Sequence, residues 1–167
     1  ASLRKMIALN YGAITMIDDM VGRILTALAQ TGQDEETVIC FMSDHGDLMG
    51  EHGLIFKGPY HYRGLIRVPL IWSDPMHAQT NVSSAPVSTI DLAATILEAA
   101  GTPTHLGLQG LPFVKNDGSA VAPTAVRRKI LIEDEVQSCI AGHNVRGRLR
   151  TLVQDAWRLT IYDGLDK

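Results

Sequence analysis

The residues best suited to chemistry stand in the run Ser43-Asp44-His45-Gly46-Asp47, and Lys57 follows thirteen positions after Asp44. Asp44 offers a hard carboxylate oxygen suited to calcium or magnesium, and the His45 imidazole widens the choice to manganese or zinc. An acid and an imidazole delivered together can hold a divalent cation. Lys57 adds an ammonium able to bind a non-bridging sulfate or phosphate oxygen, or to steady the departing oxygen as charge develops there. The three groups point to metal-assisted chemistry on an oxyanion ester. An isolated Asp-His-Gly is an ordinary strand-end turn, and an isolated loop lysine is ordinarily solvated. The strand before this set and the Gly-punctuated loop after it raise it above that background.

His52 and His61 lie in the same loop with Glu51 nearby; a surface or structural role is the default for each, and lining a substrate pocket or donating a proton the alternative. Arg67, just before Val68-Pro69, reads as a buried ion-pair partner. Tyr60 and Tyr62 read as packing residues or pocket walls. Asp18 and Asp19 interrupt the apolar stripe of a helix, where a solvated face is the default and burial of one of them the alternative. His77, His105 and His143 have no companions in the sequence.

These groups need elements to place them. Thr37 to Ser43 encloses a continuous apolar run, expected to be a strand buried on both faces. Such burial is typical of a parallel strand in an α/β sheet, where ligands gather beyond the strands' carboxyl ends. Ahead of it, Leu3, Ile7, Tyr11, Ile14, Ile17, Val21, Ile24, Leu25 and Leu28 keep helical spacing, closed by Gly32. Gly46, Gly50, Gly53 and Gly58 mark a long loop. A second strand lies within residues 67–74, stopped by Pro75. Ser88-Thr89-Ile90-Asp91 opens another helix with a capping-box pattern in which Asp91 replaces the usual Glu or Gln; it ends at Gly101. Residues 102–125 are rich in turn formers. Short strand-like segments follow at 130–132, 139–141, 149–153 and 157–162. The last two are joined by a tight Gln154-Asp155-Ala156 connection that predicts a hairpin. The chain divides near residue 120: 1–119 form an α/β part and 120–167 a small antiparallel subdomain.

With 167 residues, 46% of them hydrophobic and 20% charged, the chain can bury a core of ordinary composition. A net charge of -3 and a pI near 6.0 give no footprint for nucleic acid. No apolar run approaches the roughly 18 residues of a membrane span. Cys40 and Cys139 fall in apolar surroundings and do not amount to a disulfide framework, so the redox compartment stays open. The N-terminus opens directly into helix-like sequence without a secretory signal, and the chain reads as a piece of something longer. Periplasmic, secreted and cytoplasmic locations are all compatible with it.

Ser43-Asp44-His45-Gly46-Asp47, Gly50-Glu51-His52-Gly53-Leu54, Lys57-Gly58 and Arg67-Val68-Pro69-Leu70-Ile71 resemble the C-terminal half of the sulfatases, within the alkaline phosphatase superfamily. Tyr11 to Leu28 is similar to the helix before that family's metal-binding strand, and Ser88 to Leu92 with Gly101 to the helix after it. Arg150-Thr151 and Trp157-Arg158-Leu159 resemble its C-terminal hairpin. The fold implied is α/β: the C-terminal part of an alkaline-phosphatase-like α/β sandwich with a small antiparallel β subdomain.

By that resemblance Asp44 and His45 are metal ligands, His45 standing where many relatives have Asn, and Lys57 contacts the transferred group. Calcium is the implied metal, with manganese or magnesium as alternatives. The family's nucleophile is a formylglycine made from a Cys or Ser in a Cys/Ser-x-Pro/Ala-x-Arg signature, expected upstream along with further acidic ligands. Neither cysteine here fits: Cys40 has Asp44 at the fourth following position, and Cys139 has His143 where Arg is required. The chain is therefore expected to be a C-terminal fragment, inactive by itself, of an enzyme that hydrolyses a sulfate ester of a small molecule or sugar. A phosphonate monoester or phosphodiester hydrolase of the same superfamily is the alternative. A non-catalytic domain that binds a sulfated ligand is a third reading. Stripped of neighbours, the strands at 37–43 and 68–74 would expose apolar edges that invite self-association.

Overall fold

Helical periodicity from Leu3 onward becomes α1, Leu3–Gln30, in a computed structural model that describes residues 2–77, 82–103, 105, 107–121, 129–140 and 143–164. The helix stops where Gly32 takes a left-handed φ of 68°. There the Gly32 N–H bonds the Ala29 carbonyl and the Gln33 N–H reaches back to that of Leu28, both within 3.1 Å. Glycine at this position satisfies carbonyls that the helix itself leaves unpaired. No described residue of α1 is buried, so Asp18 and Asp19 both lie on a solvated face and neither is buried.

The apolar run after α1 forms β1, Ile39–Met42. Its pairing corrects the expectation of a parallel strand buried on both faces. After β2 (Leu48–Met49), β3 (Ile55–Phe56) and the short helix α2 (Arg63–Ile66), the chain returns as β4, Leu70–Ser73, antiparallel to β1. Ile39 stands opposite Ser73 and Met42 opposite Leu70. Among the described residues β4 is the partner of β1, and Phe41 remains 38% exposed. A continuous apolar run reports a capacity for burial and carries no information on strand direction. The Gly-rich stretch is also more ordered than the long loop expected: β2 and β3 pair as a small hairpin across a 3₁₀ turn at Glu51–Gly53.

Residues 1–57 and 62–78 form one compact unit, and residues 58–61 and 79–167 a second, a division that differs from the boundary drawn near residue 120. In the first unit Leu48 and Leu65 are buried. In the second, α3 spans Asp91–Ala99. Its capping pattern works through Asp91, which is 1% exposed. One carboxylate oxygen accepts from the Ser88 N–H at 2.8 Å, and the other from the Leu111 N–H at 2.9 Å. Asp is shorter than the usual Glu, so the same side chain that closes the first turn also holds a segment twenty residues on.

The strand-like segments at 130–132 and 139–141 are parts of one strand, β5, Lys129–Ile140. It pairs antiparallel with β6, His143–Gln154, which pairs in turn with β7, Trp157–Asp163. The acidic residues that break the apolar pattern face basic partners across the ladder: Glu133 meets Arg150 at 3.0 Å and Glu135 meets Arg148 at 2.9 Å. Residues 141 and 142, in the middle of the rejected Cys139–His143 motif, lie outside the described residues. The hairpin expected between 149–153 and 157–162 is present, with Gln154 opposite Trp157 and Asp155 at φ 51°. Such left-handed turn residues match the twist of the flanking strands. Side chains alternate between faces along each strand. Ile130, Ile132, Asp134, Leu149, Thr151, Arg158 and Thr160 therefore share one face by register, and Glu133, Glu135, Arg148 and Arg150 share the other.

Candidate active site

Immediately after β1 the chain turns sharply, and hydrogen bonds fix the turn. The Ser43 hydroxyl donates to the His45 carbonyl at 2.8 Å. The His45 N–H donates to Asp44 Oδ1 at 2.8 Å, leaving Oδ2 turned toward His45 Nε2 at 3.7 Å. Adjacent strand residues normally point to opposite faces; here the turn brings both side chains to one side. His45 Nδ1 lies 2.9 Å from the Gly46 carbonyl oxygen. A carbonyl only accepts, so Nδ1 carries the proton and Nε2 presents its lone pair.

Lys57 reaches the same place from the end of the β2–β3 hairpin, its Nζ 3.2 Å from His45 Nε2. An ammonium has only donors, so it donates to that lone pair. The expectation that groups at 44, 45 and 57 converge therefore holds at the level of geometry. The cluster is open to solvent: the Asp44 side chain is 85% exposed. The His45 backbone N–H, and after it the neighbouring imidazole, hold the Asp44 carboxyl below its ordinary range, with Lys57 a smaller influence in the same direction. The acid is thus kept as the anion that a cation or an ammonium needs.

Gly46 makes the turn possible. Its N–H donates to the Leu65 carbonyl at 2.7 Å, and a β-carbon there would collide with the Gly64 carbonyl oxygen. On the lysine side, Phe56 sits at a left-handed φ of 63° directly before Lys57. For a residue with a side chain this conformation costs about 1 kcal/mol or more.

The other sequence candidates are placed elsewhere. His52, also left-handed at φ 56°, stacks on Tyr62 with ring centroids 3.9 Å apart, beside an open depression lined by Glu51, Arg63, Gly64 and Arg67. Glu51 accepts from the Met49 N–H at 2.8 Å, which holds its carboxyl below the usual range. Arg67 corrects the expectation of a buried ion-pair partner: it is exposed, and no salt bridge to it occurs among the described residues. His61 lies in the second unit. It is 5% exposed, its Nδ1 is 2.7 Å from Thr151 Oγ1, and its Nε2 faces Asp134 at 3.7 Å. Burial lowers its tendency to take a proton, against an opposing influence from Asp134. It is a framework residue of the second unit. His77 pairs with Asp74 through Nδ1 at 3.0 Å. Cys40 is partly buried, which raises its thiol above its usual range.

Asp44 and His45 fit a divalent cation as half of a site. An oxygen and an unprotonated nitrogen lie on one side, and the imidazole is oriented by a carbonyl on its far nitrogen, the usual outer support of a ligating histidine. Among the described residues no group of three or more His, Cys, Asp and Glu side chains converges to complete the sphere. Asp44, His45 and Lys57, singled out from residue type and spacing, lie together. Sequence reasoning missed Thr151, Asp134 and Arg158 as partners of His61, with Thr160 behind Thr151, for which the signal is the shared face that strand register creates.

A family model described as Sulfatase matches residues 3–102. Arylsulfatase K of Gallus gallus is 31% identical over 167 residues, covering 98% of this chain and 30% of that protein. The solved phosphonate monoester hydrolase of Agrobacterium radiobacter superposes with a TM-score of 0.83 at 27% identity, covering 98% of this chain and 34% of that one. A further structure, BT4656 in complex with its substrate D-glucosamine-2-N,6-O-disulfate, gives a TM-score of 0.65 at 27% identity, over 88% of this chain and 29% of that one. The chain thus spans about a third of the length of these relatives.

Proposed function

The chain belongs to the sulfatase family, and we propose that the whole protein hydrolyses sulfate esters, with Asp44 and His45 holding a divalent cation and Lys57 contacting the sulfate. The observation that carries this reading is the convergence of Lys57 Nζ, at 3.2 Å, on a His45 nitrogen that also faces Asp44. Calcium is the metal that membership of the family favours; the Asp44 carboxylate suits it and magnesium alike, and the His45 imidazole makes manganese the alternative. When bound, the cation would supply Lewis-acid polarisation of the ester's sulfate oxygens.

The chain's own residues have separable tasks. The Gly46 carbonyl holds the proton on His45 Nδ1, so Nε2 is the nitrogen that would be available to a cation. The His45 N–H occupies Asp44 Oδ1, so that Oδ2 is the oxygen left for the cation. The Lys57 ammonium, 3.2 Å from Nε2, would contact the sulfate, at a non-bridging oxygen or at the leaving oxygen. The nucleophile is a formylglycine in the upstream part of the protein. His52, stacked on Tyr62 beside Arg63 and Arg67, is a candidate contact for the alcohol or sugar portion, a substrate class in keeping with the disulfated glucosamine bound by one relative.

A second reading keeps the machinery and changes the ester. The likeness to a phosphonate monoester hydrolase over 98% of the chain favours it specifically. Sulfate and phosphorus esters are alike in shape and differ in charge, so selectivity rests on the groups lining the pocket. Matched aryl sulfate, phosphate diester and phosphonate substrates, assayed on the full-length protein, decide between the two. A higher kcat/KM for the sulfate supports the first reading; a markedly higher value for either phosphorus substrate replaces it with the second.

A further inference from the structure

Gly64 joins two features of the first unit. On one side its carbonyl oxygen fills the space that a β-carbon at Gly46 would need, and the Gly46 N–H donates to the Leu65 carbonyl at 2.7 Å. On the other side Gly64 lines the open depression it shares with Glu51, His52, Tyr62, Arg63 and Arg67. The backbone that supports the Asp44–His45 turn is therefore also part of the lining of that depression. All of these residues belong to one compact unit.

The depression is rich in positive charge. Arg63 and Arg67 stand one helical turn apart, with the Arg67 N–H donating to the Arg63 carbonyl at 3.0 Å, and residues spaced by four are neighbours on a helix surface. Both are exposed, and among the described residues no carboxylate pairs with either. The carboxylate in the lining is that of Glu51, and it is turned to backbone. Its Oε2 accepts from the Met49 N–H at 2.8 Å, and its Oε1 lies 2.9 Å from where a β-carbon at Gly64 would stand. Two guanidiniums against one carboxylate leave a single net positive charge, the His52 imidazole aside. A guanidinium presents paired N–H donors in a planar fork, which suits the oxygens of a carboxylate or a tetrahedral oxyanion.

The wall beside the arginines is aromatic. The rings of His52 and Tyr62 stack at 3.9 Å with 20° between their planes. His52 holds this place at a left-handed φ of 56°, a conformation that persists in a residue with a side chain only where the surroundings fix it, and that gathers at ligand sites. A flat pair of rings next to two guanidiniums matches a ring that carries an anionic group.

We propose that Arg63 and Arg67 bind a second, singly charged oxyanion on the substrate, a carboxylate or a further sulfate, and so select esters whose alcohol portion is itself acidic. This rests on the reading of Asp44, His45 and Lys57 as the reacting centre, and the test separates the two claims.

The experiment measures kcat and KM on the full-length protein with three esters of one sugar ring: the monosulfate, the disulfate and the monosulfate of the corresponding uronic acid. Wild type is compared with Arg63→Gln, Arg67→Gln, the double variant Arg63→Gln/Arg67→Gln, and Lys57→Ala. Wild type is expected to favour at least one doubly charged ester over the monosulfate by about tenfold in kcat/KM. On that ester the double variant is expected to lose about tenfold to a hundredfold, chiefly through KM, the size of a lost charge-assisted hydrogen bond. On the monosulfate it is expected to lose less than about threefold. Loss confined to the uronic acid assigns a carboxylate to the site, loss confined to the disulfate assigns a second sulfate, and loss on both assigns a site for either. If the double variant does not fold, each single variant carries the same comparison with a smaller loss. No preference in wild type, an equal change on all three esters, or wild-type values in a folded double variant overturns the second anion site and leaves the reacting centre standing. Wild-type kcat in Lys57→Ala overturns the reading of the centre and this inference with it.

Discussion

Replacing Gly46 with Ala tests whether close backbone approach is what forms the acid–imidazole turn. A β-carbon at 46 meets the Gly64 carbonyl oxygen, and beyond it the Gly64 carbonyl carbon at 3.1 Å and Leu65 Cα at 3.5 Å. These are backbone atoms and cannot rotate away as a side chain can. Overpacking of this kind costs about 1–3 kcal/mol, and displacing the Gly46 N–H from the Leu65 carbonyl loses about 1 kcal/mol more. The expected destabilisation is therefore about 2–4 kcal/mol, read as a lower urea midpoint at constant slope. The Gly46 carbonyl also sets the tautomer of His45. Loss of such an outer support typically weakens metal binding about 10- to 100-fold, which a calorimetric titration with calcium or manganese reads directly. Gly53→Ala is the control: Gly53 has a left-handed φ of 72° but nothing within 4 Å of a β-carbon. It should cost about 1 kcal/mol in strain and leave metal affinity unchanged. A Gly46→Ala protein with wild-type stability and affinity would refute the reasoning.

Lys57→Met, which keeps the length and removes the charge, should lower kcat by about 100- to 1,000-fold, the usual cost of losing one preorganised stabiliser of developing charge. Steady-state kinetics checks it. Asp91→Ala should destabilise the protein by about 3–5 kcal/mol in denaturant unfolding, because the Ser88 and Leu111 N–H groups lose a charged acceptor at a buried site. For His61 the folded form takes a proton less readily than the ordinary value of 6.5, chiefly through burial. The unfolded chain then binds more protons than the folded one, so its stabilising contribution is complete above that pH and is lost as pH falls through the lower, folded value. Urea midpoints should drop below about pH 6.5, and His61→Gln should flatten that part of the profile.

What the sequence disclosed followed from chemistry that short motifs carry. That Asp44, His45 and Lys57 lie together was legible from residue type and spacing, and the hairpin at Asp155 because turn residues report local backbone. Strand direction was not legible. The run at 39–42 states only that it is apolar, and whether it pairs antiparallel with 70–73 depends on how the intervening chain folds. Strand length in β5 was hidden for a related reason: Glu133 and Glu135 break the apolar pattern, and their partners Arg148 and Arg150 lie across the ladder rather than nearby in sequence. His61 was the hardest to read. A structural role was the default for it, but its partners stand about ninety positions away and are brought to it by sheet register, so nothing local names them.

The most direct test of the metal–anion centre is the divalent-metal content of the purified full-length protein, by elemental analysis, in wild type, Asp44→Ala, His45→Ala and Asp74→Ala. Asp74 and His77 form a second acid–imidazole pair, but there the carboxylate binds the imidazole through Nδ1 at 3.0 Å rather than leaving both free for a cation. The expected result is stoichiometric metal in wild type and Asp74→Ala, and its loss from folded Asp44→Ala and His45→Ala. Full metal content in both of the latter would contradict the assignment of the centre.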